Sequence, residues 1–298
     1  MSVPISVIIP TYRRPDLLSL CLDRLAPGVQ TLDASEYEVI VTDDGVPTVE
    51  KLIAEKYAWA KWIAGPRRGP AANRNNGART ATSEWLVFTD DDCLPQSGWL
   101  EAYASNIGVN DVLEGKTSAL GTRTRADQEC PINESGGVLW SCNFAMRRCV
   151  FEKINGFNEI FQTAGMEDVE FNTRVEKASL NRQFVPSAQV LHPWRRRGGH
   201  SSIRKYAQSV GYYVSLHPEM ASKFTLSHQA NSVLRSIVHS ASYAFRTGMY
   251  PGICRQILLG IYAGCLIWFE VVQSNKRLAR RTEETDPASA RTLSTSDR

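Results

Sequence analysis

The chain has 298 residues, a hydrophobic fraction of 43% and a formal net charge of +3. That is enough chain for a full core and about two domains, in an ordinary globular composition. The charge is too small to mark a nucleic-acid binder. Seven cysteines, an odd number with no Cys-x-x-Cys pair, argue against a disulfide framework or a zinc site. Reduced cytosolic thiols are the simplest account of them. Met1-Ser2-Val3-Pro4 carries no basic n-region and the apolar run after it is short, so no secretory signal is expected.

Ile5-Ser6-Val7-Ile8-Ile9 reads as a buried first strand, ended by Pro10-Thr11-Tyr12-Arg13-Arg14-Pro15. Asp16 then opens a helix with Leu17, Leu18, Cys21 and Leu25 on one face. A second strand, Tyr37 to Val41, stops at Thr42-Asp43-Asp44-Gly45. A helix over 48–57 and a strand over 59–63 follow. Gly65-Pro66-Arg67-Arg68-Gly69-Pro70 runs into another helix, and its backbone N–H groups and arginines suit an anion. Strand and helix thus alternate through the first hundred residues, which predicts an α/β fold: a mainly parallel sheet with helices on both faces.

The stretch with the most chemistry is Trp85-Leu86-Val87-Phe88-Thr89-Asp90-Asp91-Asp92. It starts as a buried strand and ends in three carboxylates, at the end where open α/β sheets hold ligands. Adjacent carboxylates repel unless a cation is near, and their oxygens suit Mg²⁺ or Mn²⁺. Beyond it the pattern predicts a helix over 99–107, a strand over 119–123 and a mobile polar loop over 124–137. A strand follows through Ser141-Cys142-Asn143, then a short helix closed by Gly156. Glu167-Asp168 opens a further helix, where the macrodipole keeps Asp168 ionised. A short strand over 183–191 leads into the basic loop His192 to His200. Cys93, Cys142 and Cys149 read as packing residues.

Five motifs in order resemble glycosyltransferase family 2. They are Ile-Pro-Thr-Tyr-Arg-Arg-Pro, Asp-Asp-Gly, Ala-Asn-Arg-Asn-Asn-Gly-Ala, Phe-Thr-Asp-Asp-Asp, and Gly-Phe-Asn-Glu followed by Gly-Met-Glu-Asp-Val-Glu-Phe. The resemblance covers roughly residues 3–205. It implies a GT-A fold, a Rossmann-like mixed sheet flanked by helices, and inversion at the anomeric carbon. It places Pro10, Tyr12 and Asp43 at the nucleobase and Arg74 at the diphosphate, with Arg14, Asp91 and Arg197 completing the donor set. Asp90, Asp92 and His192 are the implied ligands of Mn²⁺ or Mg²⁺, Asp90 also facing the donor. Asp91 turned inward as a structural residue is the other reading of that position. Asp168 is the implied base, and Trp140, Asn143 and Glu167 face the acceptor, with an arginine ion pair the alternative for Glu167. A basic loop over 194–204 closes on the donor. The implied partners are a nucleotide sugar, UDP-linked first, and a lipid-linked or polysaccharide acceptor. A GT-A module that binds without turnover is the rival, weakened by the completeness of the charged set.

On this reading residues 1–115 form the donor half and 116–230 the acceptor half. A helical, membrane-facing segment over 231–275 precedes a disordered tail over 276–298. The run Ile257 to Phe269 is uncharged and strongly apolar, but falls short of the ~20 residues of a comfortable span. An interfacial or re-entrant helix, or one packed on a partner, is favoured; a single span and a buried soluble helix are the alternatives.

Overall fold

The structure is a computed structural model and describes residues 5–108, 110–248 and 250–285, with backbone alone for 280–285. It divides into two units. The first holds residues 1–123 and 128–196; the second holds 124–127 and 197–298.

In the first unit, alternation begins as the sequence predicts: β1 Ile5–Thr11, α1 Pro15–Leu25, β2 Tyr37–Asp43, α2 Glu50–Lys56, β3 Lys61–Ala64, α3 Pro70–Thr80 and β4 Trp85–Thr89. Then come β5 Leu94–Pro95, α4 Trp99–Ala104, β6 Val112–Leu120, β7 Gln128–Glu129, β8 Asn143–Arg147 and α5 Arg148–Lys153. The unit closes with α6 Glu167–Lys177, β9 Arg182–Pro193 and β10 Arg195–Arg196. Eight strands form one sheet in the order β3-β2-β1-β4-β8-β6-β9-β5. β1, β2, β3 and β4 are parallel, whereas β8 runs antiparallel to both β4 and β6. The sheet is therefore mixed, and its order reverses direction between β1 and β4, the switch point at which such sheets bind ligands.

Side chains alternate across the sheet as a period of two requires. Ile5, Val7, Ile9, Trp85 and Val87 pack with α1, α2 and α4 on one face. Ile8, Leu86 and Phe88 meet α3, α5 and α6 on the other, in a cluster with Phe144, Phe151, Phe157 and Phe171. α3 has little apolar surface of its own. It reaches the core because its inner residues are small: a Cβ on Gly77 would sit 2.5 Å from Ile8. Asn73 fixes its height by bonding the side chain and carbonyl of Thr42.

Two expectations fail here. The expected strand over 119–123 is the end of β6, which starts at Val112 and pairs with β9 over a bulge after Gly115. The expected mobile loop over 124–137 holds β7, a bridge from Thr117 to Asn133, and the buried Asp127.

The second unit is helical: α7 His200–Leu216, α8 Leu226–Thr247 and α9 Ile253–Thr285. Asp127 is fully buried and holds Arg125 at 2.9 Å and Arg255 at 2.9 Å, while Ala126 N–H donates to the Pro251 carbonyl. α9 continues through Thr285, so the tail expected from residue 276 begins as helix; 286–298 lie outside the described residues. The expected boundaries at 115/116 and 230/231 do not coincide with these units.

Candidate active site

β1, β2 and β4 end together, Thr11 lying beside Asp43 in register. Asp90, Asp91 and Asp92 leave β4 at that edge. The turn aims each carboxylate differently, so three adjacent acids acquire three environments.

Asp91 points inward. One oxygen accepts from the Thr11 hydroxyl at 2.8 Å and the other meets Arg14 at 3.0 Å. Burial pushes its carboxyl up to about 6, against the pull of Arg14 and Thr11. It ties β4 to β1, and the expectation that it binds donor is corrected to the inward alternative.

Asp92 is buried. Its Oδ2 meets Arg14 at 3.2 Å and Arg195 at 3.4 Å. Its Oδ1 lies 3.3 Å from His192 Nε2, and neither of these buried atoms has a hydrogen-bond partner. His192 Nδ1 is 2.8 Å from the Pro193 carbonyl, which only accepts, so Nδ1 carries the proton. Nε2 is thereby turned to Asp92; it holds a second proton while the two groups face only each other, and it is the nitrogen a cation would take in place of that proton. Burial opposes charge on both groups, but each supports the other: His192 is raised to about 10 and Asp92 lowered to about 2.

This pair fits a cation. Two oxygen or nitrogen donors about 2.1 Å from one ion stand roughly 3 Å apart at adjacent octahedral positions. The separation of Oδ1 and Nε2 matches, and an ion would satisfy both orphaned atoms. Cys93 lies in the same cluster, but its thiol is held protonated by Cys142 and by burial, 3.9 Å from the Cys142 carbonyl, as a packing residue.

Asp90 is engaged elsewhere. Arg74 donates to it at 2.7 Å and to Glu167 at 3.3 Å. Glu167 also accepts from Gly165 N–H at 2.6 Å. Arg74 is 4% exposed and sits over the Phe157 ring. Its Nη1 and Nη2 go to Glu167 and Asp90 and its Nε alone lacks a partner, so where the sequence reading expected a diphosphate Arg74 is the cation that joins β4 to α6. Glu167 is buried in the same pair, as its ion-pair alternative anticipated, and does not face an acceptor.

Asp168, one residue on, is half-buried and accepts from its neighbour Val169 N–H at 2.8 Å. Burial pushes it up to about 8; Glu167 adds to the rise and Arg74 opposes it. The helix N-terminus is expected to keep this carboxylate at ordinary acidity; burial and Glu167 push the other way. Five carboxylates (Asp90, Asp91, Asp92, Glu167, Asp168) face three arginines (Arg14, Arg74, Arg195). Carboxylates therefore outnumber arginines here, and a cation suits the site.

Beside these groups Tyr12 is 55% exposed, with Arg13 stacked 5.2 Å from its ring, and Pro10 is half-buried. Asp43 gives one oxygen to Gly45 N–H and the other to Val49 N–H, both at 2.7 Å. It thus closes the loop that lines a cavity of about 370 Å³ with Arg13, Pro15, Val46 and Pro47. A larger cavity of about 580 Å³ lies between Arg79, Arg148, Phe151 and Arg174 and holds none of the site carboxylates.

Asn143 is corrected outright. It is 3% exposed, accepts from Trp99 and Tyr103, and donates to the carbonyls of Lys116 and Ala188. All of its capacity goes to the fold. Trp140 is half-buried with its indole N–H on the Ile132 carbonyl. Arg197 belongs to the second unit, where its N–H donates to Asp127. The basic loop expected over 194–204 is instead β10, paired with β7, and the start of α7.

Sequence reasoning missed Asp44, and it placed Arg195 only within the basic loop over 194–204 without setting it apart from its neighbours. Asp44 accepts from the N–H groups of Arg67 and Gly69, so the loop expected to cradle an outside anion holds the protein's own carboxylate. The available signal was the paired acids of Asp43-Asp44-Gly45. For Arg195 it was the period of two in an extended arginine run, which sends alternate side chains one way.

The glycosyl transferase family 2 model matches residues 6–113, and a model described as the N-terminal domain of galactosyltransferase matches 124–195. Glycosyltransferase AglE of Haloferax volcanii is 30% identical over 213 residues, 65% of this chain and 68% of that protein. The chain spans 45% or less of the three curated relatives that follow it. Among solved structures, S. aureus TarS 1-349 in complex with UDP-GlcNAc is similar at a TM-score of 0.54 and 18% identity, over 93% of this chain and 92% of that one. The mannosyltransferase PcManGT from Pyrobaculum calidifontis, in complex with GDP-Man and Mn²⁺, gives 0.52 and 20%, over 99% and 79%. With the motifs gathered at the sheet's switch point and these matches in hand, the chain belongs to glycosyltransferase family 2 and has its GT-A fold.

Proposed function

We propose that the protein is a metal-dependent, inverting glycosyltransferase. It moves a sugar from a nucleotide sugar, UDP-linked first, to a hydroxyl of a lipid-linked or polysaccharide acceptor at the inner face of the cytoplasmic membrane. The observation that carries this reading is the buried, unpartnered pair Asp92 Oδ1 and His192 Nε2, 3.3 Å apart. These two residues would hold Mn²⁺ or Mg²⁺, with Asp90 on the same turn. Bound there, the ion supplies positive charge to the departing diphosphate.

The chain's own groups carry the rest. The side chains of Arg14 and Arg195 are 44% and 46% exposed, so both can turn from Asp92 to an incoming diphosphate. Tyr12 offers an exposed ring for a base to stack on. Asp168 takes the proton of the acceptor hydroxyl, and its raised affinity makes it a better base at neutral pH than an ordinary carboxylate. The solved structures bound to UDP-GlcNAc and GDP-Man support a nucleotide-sugar donor and leave the base to be tested.

The test is calorimetric binding of UDP and of GDP, each with and without Mn²⁺, to the wild type, His192→Ala and Asp168→Asn. Metal-dependent UDP binding, lost in His192→Ala and kept in Asp168→Asn, is expected. Asp168→Asn should lower turnover by about 10²- to 10⁴-fold. Metal-independent binding would sink the metal site, and full turnover by folded Asp168→Asn would sink the base.

A further inference from the structure

α9 has two apolar faces, and the second unit uses one. Leu259, Ala263, Ile267, Val271 and Ser274 are buried. Leu259 and Ala263 pack with Ile203 of α7, and the Ser274 hydroxyl donates to the Gly211 carbonyl at 3.0 Å. Gly264 faces Val233 and Gln229 of α8. The other face runs Cys254, Leu258, Ile261, Cys265, Trp268, all exposed, with Leu258 at 66%. Its steps of four and three residues make one continuous stripe. By length and composition Ile253–Ala279 can cross a membrane, but 33% of its most apolar window is already buried in protein.

The charge says what covers the open stripe. Residues 223–281 hold eight lysines and arginines against one acid, Glu270, in a chain of net charge only +3; Arg255 is taken by Asp127, which leaves seven. Lys276 and Arg277 are exposed just past the stripe. A second copy seated on this face would bring like charges together. An anionic surface with an apolar interior would satisfy stripe and charge at once.

We infer that α9 lies in the plane of an anionic bilayer, with the Leu258–Ile261–Trp268 stripe among the acyl chains and the basic residues at the headgroups. This deepens the membrane part of the reading above and is independent of the donor and base assignments. α9 stays packed on α7 and α8 and does not span.

The experiment is flotation of the full chain with phosphatidylcholine vesicles, with and without phosphatidylglycerol, at low and high salt. Brominated lipids quench Trp268, and Trp268→Phe serves as the control. Binding to anionic vesicles that falls about tenfold or more without the anionic lipid or in high salt is expected. Quenching should vanish in Trp268→Phe. The exposed double substitution Leu258→Asp, Ile261→Asp should abolish flotation and keep UDP binding, which separates loss of this face from loss of fold or of the donor site. No flotation, salt-independent flotation, or a concentration-dependent dimer abolished by the double substitution would overturn the proposal. A wild type that floats but binds no nucleotide would sink the donor reading and leave this one standing.

Discussion

Arg74 and Glu167 bracket Asp168 with opposite charges, and that gives the site a testable pH signature. Asp168 accepts a proton only when ionised, so kcat/KM should climb with pH through about 8 and level off above it. Glu167 raises the affinity of Asp168 for its proton, and Arg74 lowers it. Glu167→Gln should therefore shift the rising limb to lower pH, and Arg74→Gln to higher pH. Opposite shifts in two pH–rate profiles are the expected outcome; shifts in the same direction would refute the arrangement. Removing Arg74 also strands Asp90 and Glu167 together, at a cost of about 3–5 kcal/mol in urea unfolding. At this scale the motifs made the residue types legible but not their partners. The resemblance to glycosyltransferase family 2 implies a phosphate ligand at Arg74. Only the fold shows that the anions in reach are Asp90 and Glu167, the latter 93 residues away.

Among the elements, α3 depends on close approach. Gly77→Ala gains about 1 kcal/mol of helix propensity, but its Cβ would lie 2.5 Å from Ile8 in the sheet. Overpacking of that kind costs about 1–3 kcal/mol, so a net loss of up to about 2 kcal/mol is expected in chemical denaturation. An unchanged midpoint would show that the helix can back away. Strands β1, β2 and β4 were legible because both their faces are buried and their apolar runs are unbroken. β6 was not, since Glu114 and Gly115 look like breakers. Glu114 is neutralised by Arg182 of β9 at 2.6 Å, and at Gly115 a Cβ would meet Asn143 and Tyr103 at 2.4 Å. Asn143 looked like a site residue because its four partners are 27 to 45 positions distant.

For the whole molecule, the division into units is not a single cut in the chain. Residues 124–127 belong with the C-terminal helices although their neighbours on both sides belong to the sheet. Truncation after Arg196 would strip the Ala126 N–H and the buried Asp127 carboxylate of Pro251 and Arg255. A melting temperature well below that of the full chain is expected. Equal melting of the two would mean that 124–127 gain nothing from the helices. The sequence made the helical extension legible through its apolar spacing, but not this exchange, because the polar run around Asp127 carries no period.

The order of the strands also sets a schedule for synthesis. β4 pairs with β1 as soon as both have emerged, but its other edge waits for β8. Thr89 precedes Arg147 by 58 residues, which at about 5–20 residues per second is roughly 3–12 seconds of translation. For that interval the fully buried strand Trp85–Thr89 presents an open edge of backbone donors and acceptors on the ribosome. The order of synthesis thus leaves the strand that carries the acidic turn half-paired for longer than its parallel neighbour β1 requires.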